Sequence, residues 1–259
     1  MALLEVSAMS LRFGGLAALV DIGFHVEKGE VFSIIGPNGA GKTTIFNCIN
    51  RFYDPDEGSI KLNGRELTRV RPHRVADLGI ARTFQNIELF KNMTVIDNLL
   101  LGRHRRRRCN LLLEALFSRS VRKQEIRSRE KAEEIIDFLE LQAYRDKRVG
   151  GLPYGIEKTV ELGRALAMEP ELLLLDEPSS GLNLEETQDL SYWMTDIKET
   201  LGITILMVEH NIRLVKEISD RVMAMSFGAV ITQGTSEEVL SHPDVMKAYL
   251  GEEGDLAEG

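Results

Sequence analysis

With 259 residues, 43% of them hydrophobic, and only two cysteines, Cys48 and Cys109, the chain is long enough for one large α/β core with a smaller lobe, without a disulfide framework or C-x-x-C zinc site, which suits a reducing compartment. The longest apolar runs, residues 172–175 and 203–208, are strand-length and far short of a membrane span, and Met1-Ala2-Leu3-Leu4-Glu5 does not open a signal peptide, so work at a membrane is expected to need another chain to cross it. The formal net charge of −8 argues against a surface that coats nucleic acid, although residues 103–131 carry eleven Arg or Lys against three acidic residues.

Residues 3–35 alternate short apolar runs with turns at Gly14-Gly15 and Lys28-Gly29-Glu30, which predicts antiparallel strands leading into a buried strand, Val31-Phe32-Ser33-Ile34-Ile35. The next nine residues, Gly36-Pro37-Asn38-Gly39-Ala40-Gly41-Lys42-Thr43-Thr44, fit the P-loop pattern G-x-x-x-x-G-K-[ST] at every fixed position and run into a helix with one apolar face. Glycines let such a loop curl so that successive N–H groups point at phosphate oxygens, and the positive end of the helix adds to the attraction. Lys42 reaches the β- and γ-phosphates, and Thr43 offers its hydroxyl to Mg²⁺. The pattern predicts nucleoside triphosphate binding.

A turn at Asp54-Pro55-Asp56-Glu57-Gly58 and a further strand follow, and the segment Ile80-Ala81-Arg82-Thr83-Phe84 ends at Gln85, whose amide can join a Mg²⁺ shell. From about residue 86 to 149 helical spacing dominates, as in Ala132, Ile135, Ile136 and Leu139, which predicts an inserted helical lobe. Within it Arg103-His104-Arg105-Arg106-Arg107-Arg108 reads either as a solvated loop or as a contact for anionic lipid headgroups. Beyond Gly150-Gly151 strands and helices alternate again, which implies a mainly parallel sheet. The apolar strand at 172–175 ends in Asp176 and Glu177; in a parallel sheet this edge gathers ligands, so Asp176 is a candidate to hold Mg²⁺ and Glu177 to orient the attacking water, against the alternative of an acidic capping pair. A helix over about 186–200 and a strand at 203–208 follow, the strand delivering Glu209 and His210 to the same edge; residues 251–259 read as a frayed acidic tail.

The P-loop, Gln85, residues 172–177, Ser180-Gly181-Leu182-Asn183 and His210 together resemble the Walker A, Q-loop, Walker B, D-loop and switch histidine of an ATP-binding-cassette (ABC) ATPase, in the family's order over nearly the whole chain. Phe13 stands where the family's adenine-stacking aromatic stands, with a core strand phenylalanine as the rival reading. Ala81-Arg82-Thr83-Phe84-Gln85-Asn86, Leu89-Phe90, Met93-Thr94-Val95, Asn98-Leu99-Leu100 and the ending His242-Pro243-Asp244-Val245 with Ala248-Tyr249-Leu250-Gly251 look like the LivG-type ATPases of branched-chain amino acid importers. The signature Leu-Ser-Gly-Gly-Gln departs: Leu152-Pro153-Tyr154-Gly155-Ile156 stands there, opening a helix through Glu157 to Met168 and lacking the serine hydroxyl and glutamine amide.

The resemblance implies an α/β P-loop NTPase core with an antiparallel β subdomain and an inserted helical subdomain: residues 1–85 and 161–240 as the two parts of the nucleotide-binding core, 86–160 as the helical subdomain with the signature, and 241–259 as a C-terminal helix and acidic tail. It implies MgATP hydrolysis at the cytoplasmic face of a membrane, a second ABC ATPase subunit whose γ-phosphate faces this chain's signature, transmembrane permease subunits and, indirectly, a solute-binding protein, with no nucleic acid partner. Related systems for urea, other small solutes or lipopolysaccharide are the nearest alternatives, and a regulatory ATP-binding module without turnover is the alternative of another class.

Overall fold

The computed structural model describes residues 2–104 and 119–255. Strands β1 (Ala2–Phe13), β2 (Leu16–Glu27), β4 (Glu57–Leu62) and β5 (Arg65–Glu66) form an antiparallel sheet in the order β2-β1-β4-β5. The second sheet has the order β10-β9-β3-β8-β7-β6 and comprises β3 (Val31–Ile35), β6 (Ile80–Arg82), β7 (Leu172–Asp176), β8 (Thr204–Val208), β9 (Arg221–Ser226) and β10 (Ala229–Gly234). All neighbours in it pair in parallel except β9 with β10.

The central strands are apolar without interruption because both faces are covered. Val31 and Ile35, Leu173 and Leu175, Ile205 and Met207 point into one core; Phe32 and Ile34, Leu172 and Leu174, Leu206 and Val208 point into the other. The second core lies against the antiparallel sheet and helix α1 (Lys42–Ile49), while the first is closed by α2 (Val95–Arg103), α3 (Arg119–Phe138), α4 (Tyr154–Leu166) and α5 (Leu184–Glu199). Ala132, Ile135 and Ile136 along α3, and Leu139 just past its end, are all buried, as their spacing predicts. The shorter helices α6 (Ile212–Ile218) and α7 (Ser236–Leu240) lead to α8 (Pro243–Asp255).

Three sequence expectations need correction. The helix at the signature opens at Tyr154, inside the segment expected to open it, with the Pro153 carbonyl accepting from Glu157 N at 3.0 Å, but it ends at Leu166 rather than Met168. The end of the chain is helical to Asp255, and residues 256–259 lie outside the described residues. Arg103 is no part of a solvated loop: it is buried, donates to the Ala167 carbonyl at 3.0 Å and pairs with Glu169 at 2.8 Å, tying α2 to the end of α4. His104 is exposed, and Arg105–Arg108 and Cys109 fall outside the described residues. Cys48 is a buried thiol whose pKa burial pushes up to about 12, so it packs as an inert apolar group. Among the described residues no helix is long and apolar enough to cross a membrane.

Candidate nucleotide site

Parallel pairing brings the carboxyl ends of β3, β6, β7 and β8 to one edge of the sheet, and the chain leaving each end carries a candidate residue: the P-loop, Gln85, Glu177 and His210. Two P-loop glycines are required by space. A Cβ at Gly36 would lie 2.2 Å from the Met225 carbonyl oxygen, and one at Gly41, at φ 97°, would lie 2.9 Å from the Ala18 oxygen and 2.8 Å from Leu19 Cδ2. The close approach of β2 and β9 therefore fixes the course of the loop over Pro37, Asn38, Gly39 and Ala40 into α1. Lys42 is buried, and its ammonium donates to the carbonyls of Gly36 at 2.6 Å and Pro37 at 2.9 Å. Thr43 is exposed and Thr44 half-buried at the first turn of α1.

Phe13 is 45% exposed at the end of β1, so the core reading fails; its ring meets Tyr53 edge-on at 5.1 Å between centroids. β2 follows through the Gly14-Gly15 turn, and its residues Ala18 and Leu19 abut the P-loop glycine, which keeps this aromatic near the loop.

At the end of β7, Asp176 is buried. Its Oδ2 accepts from Arg82 Nη2 at 2.7 Å, and its Oδ1 has no hydrogen-bond partner among the described residues. Glu177 follows at φ 49°, with its N–H donating to the Val208 carbonyl at 2.9 Å. Gln85 Nε2 donates to Glu177 Oε2 at 2.8 Å, and His210 Nδ1 lies 3.9 Å from the same oxygen. Three candidates from three strand ends thus meet at one carboxylate.

Residues 152–156 sit against Ser180-Gly181-Leu182-Asn183, the segment that resembles a D-loop. Tyr154 Oη donates to the Ser180 carbonyl at 3.5 Å, and a Cβ at Gly181 would lie 2.7 Å from the tyrosine ring. Gly155 abuts Glu186, whose carboxylate oxygen would be 2.2 Å from an added Cβ. Asn183 caps α5 and shares a capping box with Glu186. Pro153 caps α4 with no side-chain hydrogen bond. Leu152, Ile156 and Leu182 are half-buried against the core, so the isoleucine at the family's glutamine position is a packing residue.

Sequence reasoning gave no role to several residues that build this edge. Glu209, fully buried, accepts from Ser179 N at 2.8 Å, His210 N at 3.0 Å and Asn211 N at 3.1 Å, holding the D-loop entrance and the histidine together. Lys158 donates to the carbonyls of Glu177 and Pro178 at 3.0 and 3.1 Å, and burial pushes its pKa down. Glu161 accepts from Phe84 N and Glu88 N at 3.4 Å each, bracing the Gln85 segment onto α4, and burial pushes its carboxyl above the ordinary range. Arg82 in a buried strand, and charges at 158 and 161 on an otherwise apolar helix face, were the available signals.

The chain is similar to known proteins along nearly its whole length. A family profile described as "ABC transporter" matches residues 19–180, and one described as "Branched-chain amino acid ATP-binding cassette transporter" matches residues 229–255. The high-affinity branched-chain amino acid transport ATP-binding protein BraF of Pseudomonas aeruginosa is 41% identical over 250 residues, covering 96% of this chain and 98% of its own. The corresponding LivG protein of Escherichia coli is 38% identical over 250 residues, with the same coverage of 96% and 98%. The crystal structure of an ATP-binding cassette of an ABC transporter in its ADP conformation superposes with a TM-score of 0.84 at 34% identity, covering 97% of this chain and 99% of that one.

Proposed function

The chain belongs to the ABC transporter family, and on that premise we propose that it is the ATP-hydrolysing subunit that energises uptake of branched-chain amino acids. The observation that carries the catalytic part is the convergence of Gln85 and His210 on one oxygen of Glu177, at the sheet edge that also bears the P-loop. Likeness along 96% of the chain to two branched-chain amino acid transport ATP-binding proteins supports the solute class.

In this reading the loop N–H groups and the start of α1 hold the phosphates, and Lys42 exchanges its loop carbonyls for the stronger charged acceptors of the β- and γ-phosphates. The donor set fits Mg²⁺: Asp176 Oδ1 is a buried acceptor without a donor among the described residues, and Thr43 and Gln85 supply neutral oxygens. When bound, the ion neutralises phosphate charge. Glu177 orients the attacking water and takes its proton; Gln85 fixes the carboxylate, and His210, half exposed beside it, holds the water against the γ-phosphate. Phe13, braced by Tyr53, stacks on the adenine.

Residues 152–156 face the nucleotide of a second ABC cassette, and this chain's D-loop, Ser180-Gly181-Leu182-Asn183, lies at that contact. The helical subdomain, residues 86–160, docks on permease subunits at the cytoplasmic face of the membrane, between the two core parts at 1–85 and 161–240, with 241–259 as the C-terminal element. The test is reconstitution in proteoliposomes with the co-encoded membrane subunits and solute-binding protein. Leucine, isoleucine or valine should stimulate phosphate release and enter the vesicles with ATP; stimulation by another solute alone would overturn the solute assignment.

A further inference from the structure

Arg82 ends β6 with a buried side chain whose planar fork spans two acceptors. Nη2 donates to Asp176 Oδ2 and Nη1 to Asn47 Oδ1 on α1, each at 2.7 Å. The guanidinium carbon lies 5.4 Å from the Phe46 ring centroid and 5.1 Å from that of Phe84. The P-loop helix, the Asp176 strand and the segment entering Gln85 therefore meet on one cation. Both partners are closed to water, at 6% and 3% side-chain exposure. Burying such a pair removes two charges from water, a cost that their attraction often does no more than offset, so the pair is poorly explained as a stabilising device. What it does provide is orientation. A carboxylate turns readily about its last torsion, and here one oxygen is pinned by a fork that is itself held on both sides.

We propose that Arg82 is a positioning residue of the metal site: by holding Asp176 through Oδ2 it presents Oδ1, in one orientation, to the Mg²⁺ of MgATP or to water in its shell. This rests on the reading of Asp176 as the metal-side carboxylate. It also joins metal and water positioning mechanically, because Phe84, stacked on the same cation, precedes Gln85.

The test is calorimetric binding of a non-hydrolysable ATP analogue to the full chain, in excess EDTA and in Mg²⁺, for the wild type, Arg82→Lys, Arg82→Met, Asn47→Ala and Asp176→Asn. Arg82→Met should bind the metal-free analogue like the wild type and lose at least about tenfold of the affinity gained from Mg²⁺, as outer-shell partners of metal ligands do. Arg82→Lys and Asn47→Ala should lose less, in the same direction, and they carry the test if the methionine variant does not fold. If Asp176→Asn keeps the full Mg²⁺ gain, the metal reading of Asp176 fails. If Asp176→Asn loses the gain while the Arg82 variants retain it, or if they weaken metal-free binding equally, positioning by Arg82 is overturned.

Discussion

Glu177 holds a backbone conformation, φ 49°, that glutamate rarely adopts, and its surroundings enforce it. Val208 takes its N–H, Lys158 donates to its carbonyl, and Gln85 donates to its side chain. Each enforcing contact comes from a different element, so the strain aims one carboxylate at one place. Glu161 is the opposite kind of residue: buried, its cation Arg164 Nη2 no nearer than 3.9 Å, and its pKa raised by burial, which outweighs the pull of the cations. A raised folded-state pKa means that Glu161 contributes stability when protonated, fully below the unfolded value of about 4.3, and that this contribution is lost as pH rises through the folded value. Glu161→Gln keeps an acceptor for Phe84 and Glu88 and carries no charge. Its stability relative to the wild type should therefore rise with pH across that window in urea unfolding; a difference independent of pH would show that Glu161 is not penalised by burial.

At the scale of elements, the strands and the P-loop were legible because their determinants are local: an unbroken apolar run ending at a glycine or a carboxylate needs no partner to be read. The end of α4 was not, since the apolar pattern runs on through Ala167 and Met168 although the helix stops at Leu166. Arg82, Lys158 and Glu209 were legible only as unassigned charges, since their meaning lies in contacts such as Arg82 with Asp176, 94 residues away. For the signature the structure also narrows the experiment. Ile156 packs against the core, so Pro153→Ser alone is the informative change. A serine there can accept from the first-turn N–H groups, stabilising α4 by about 1 kcal/mol, and on the proposed sandwich of two cassettes restores a hydroxyl toward the partner's nucleotide. In an assembled pair of cassettes it should raise hydrolysis when the partner's P-loop lysine is intact and have little effect when that lysine is removed. A gain that survives loss of the partner's lysine would assign the effect to this chain's own nucleotide or to folding.

At the scale of the molecule, two cores share one parallel sheet, and the edge where its strands end is reached from both. The antiparallel sheet brings Phe13 and the β2 backbone to the P-loop, while α4 brings Lys158 beneath Glu177 and Tyr154 onto the D-loop. On the proposed docking of the helical side to permease subunits, these short contacts are the route by which its displacement would reach Glu177. The most direct measurement on this account compares the wild type with Glu177→Gln in MgATP, following phosphate release and association state by light scattering. The variant should still bind ATP and accumulate as an ATP-held dimer, with hydrolysis lowered at least about tenfold, the scale of losing a general base. Phosphate release by Glu177→Gln at the wild-type rate would contradict the central claim that Glu177 positions and activates the attacking water.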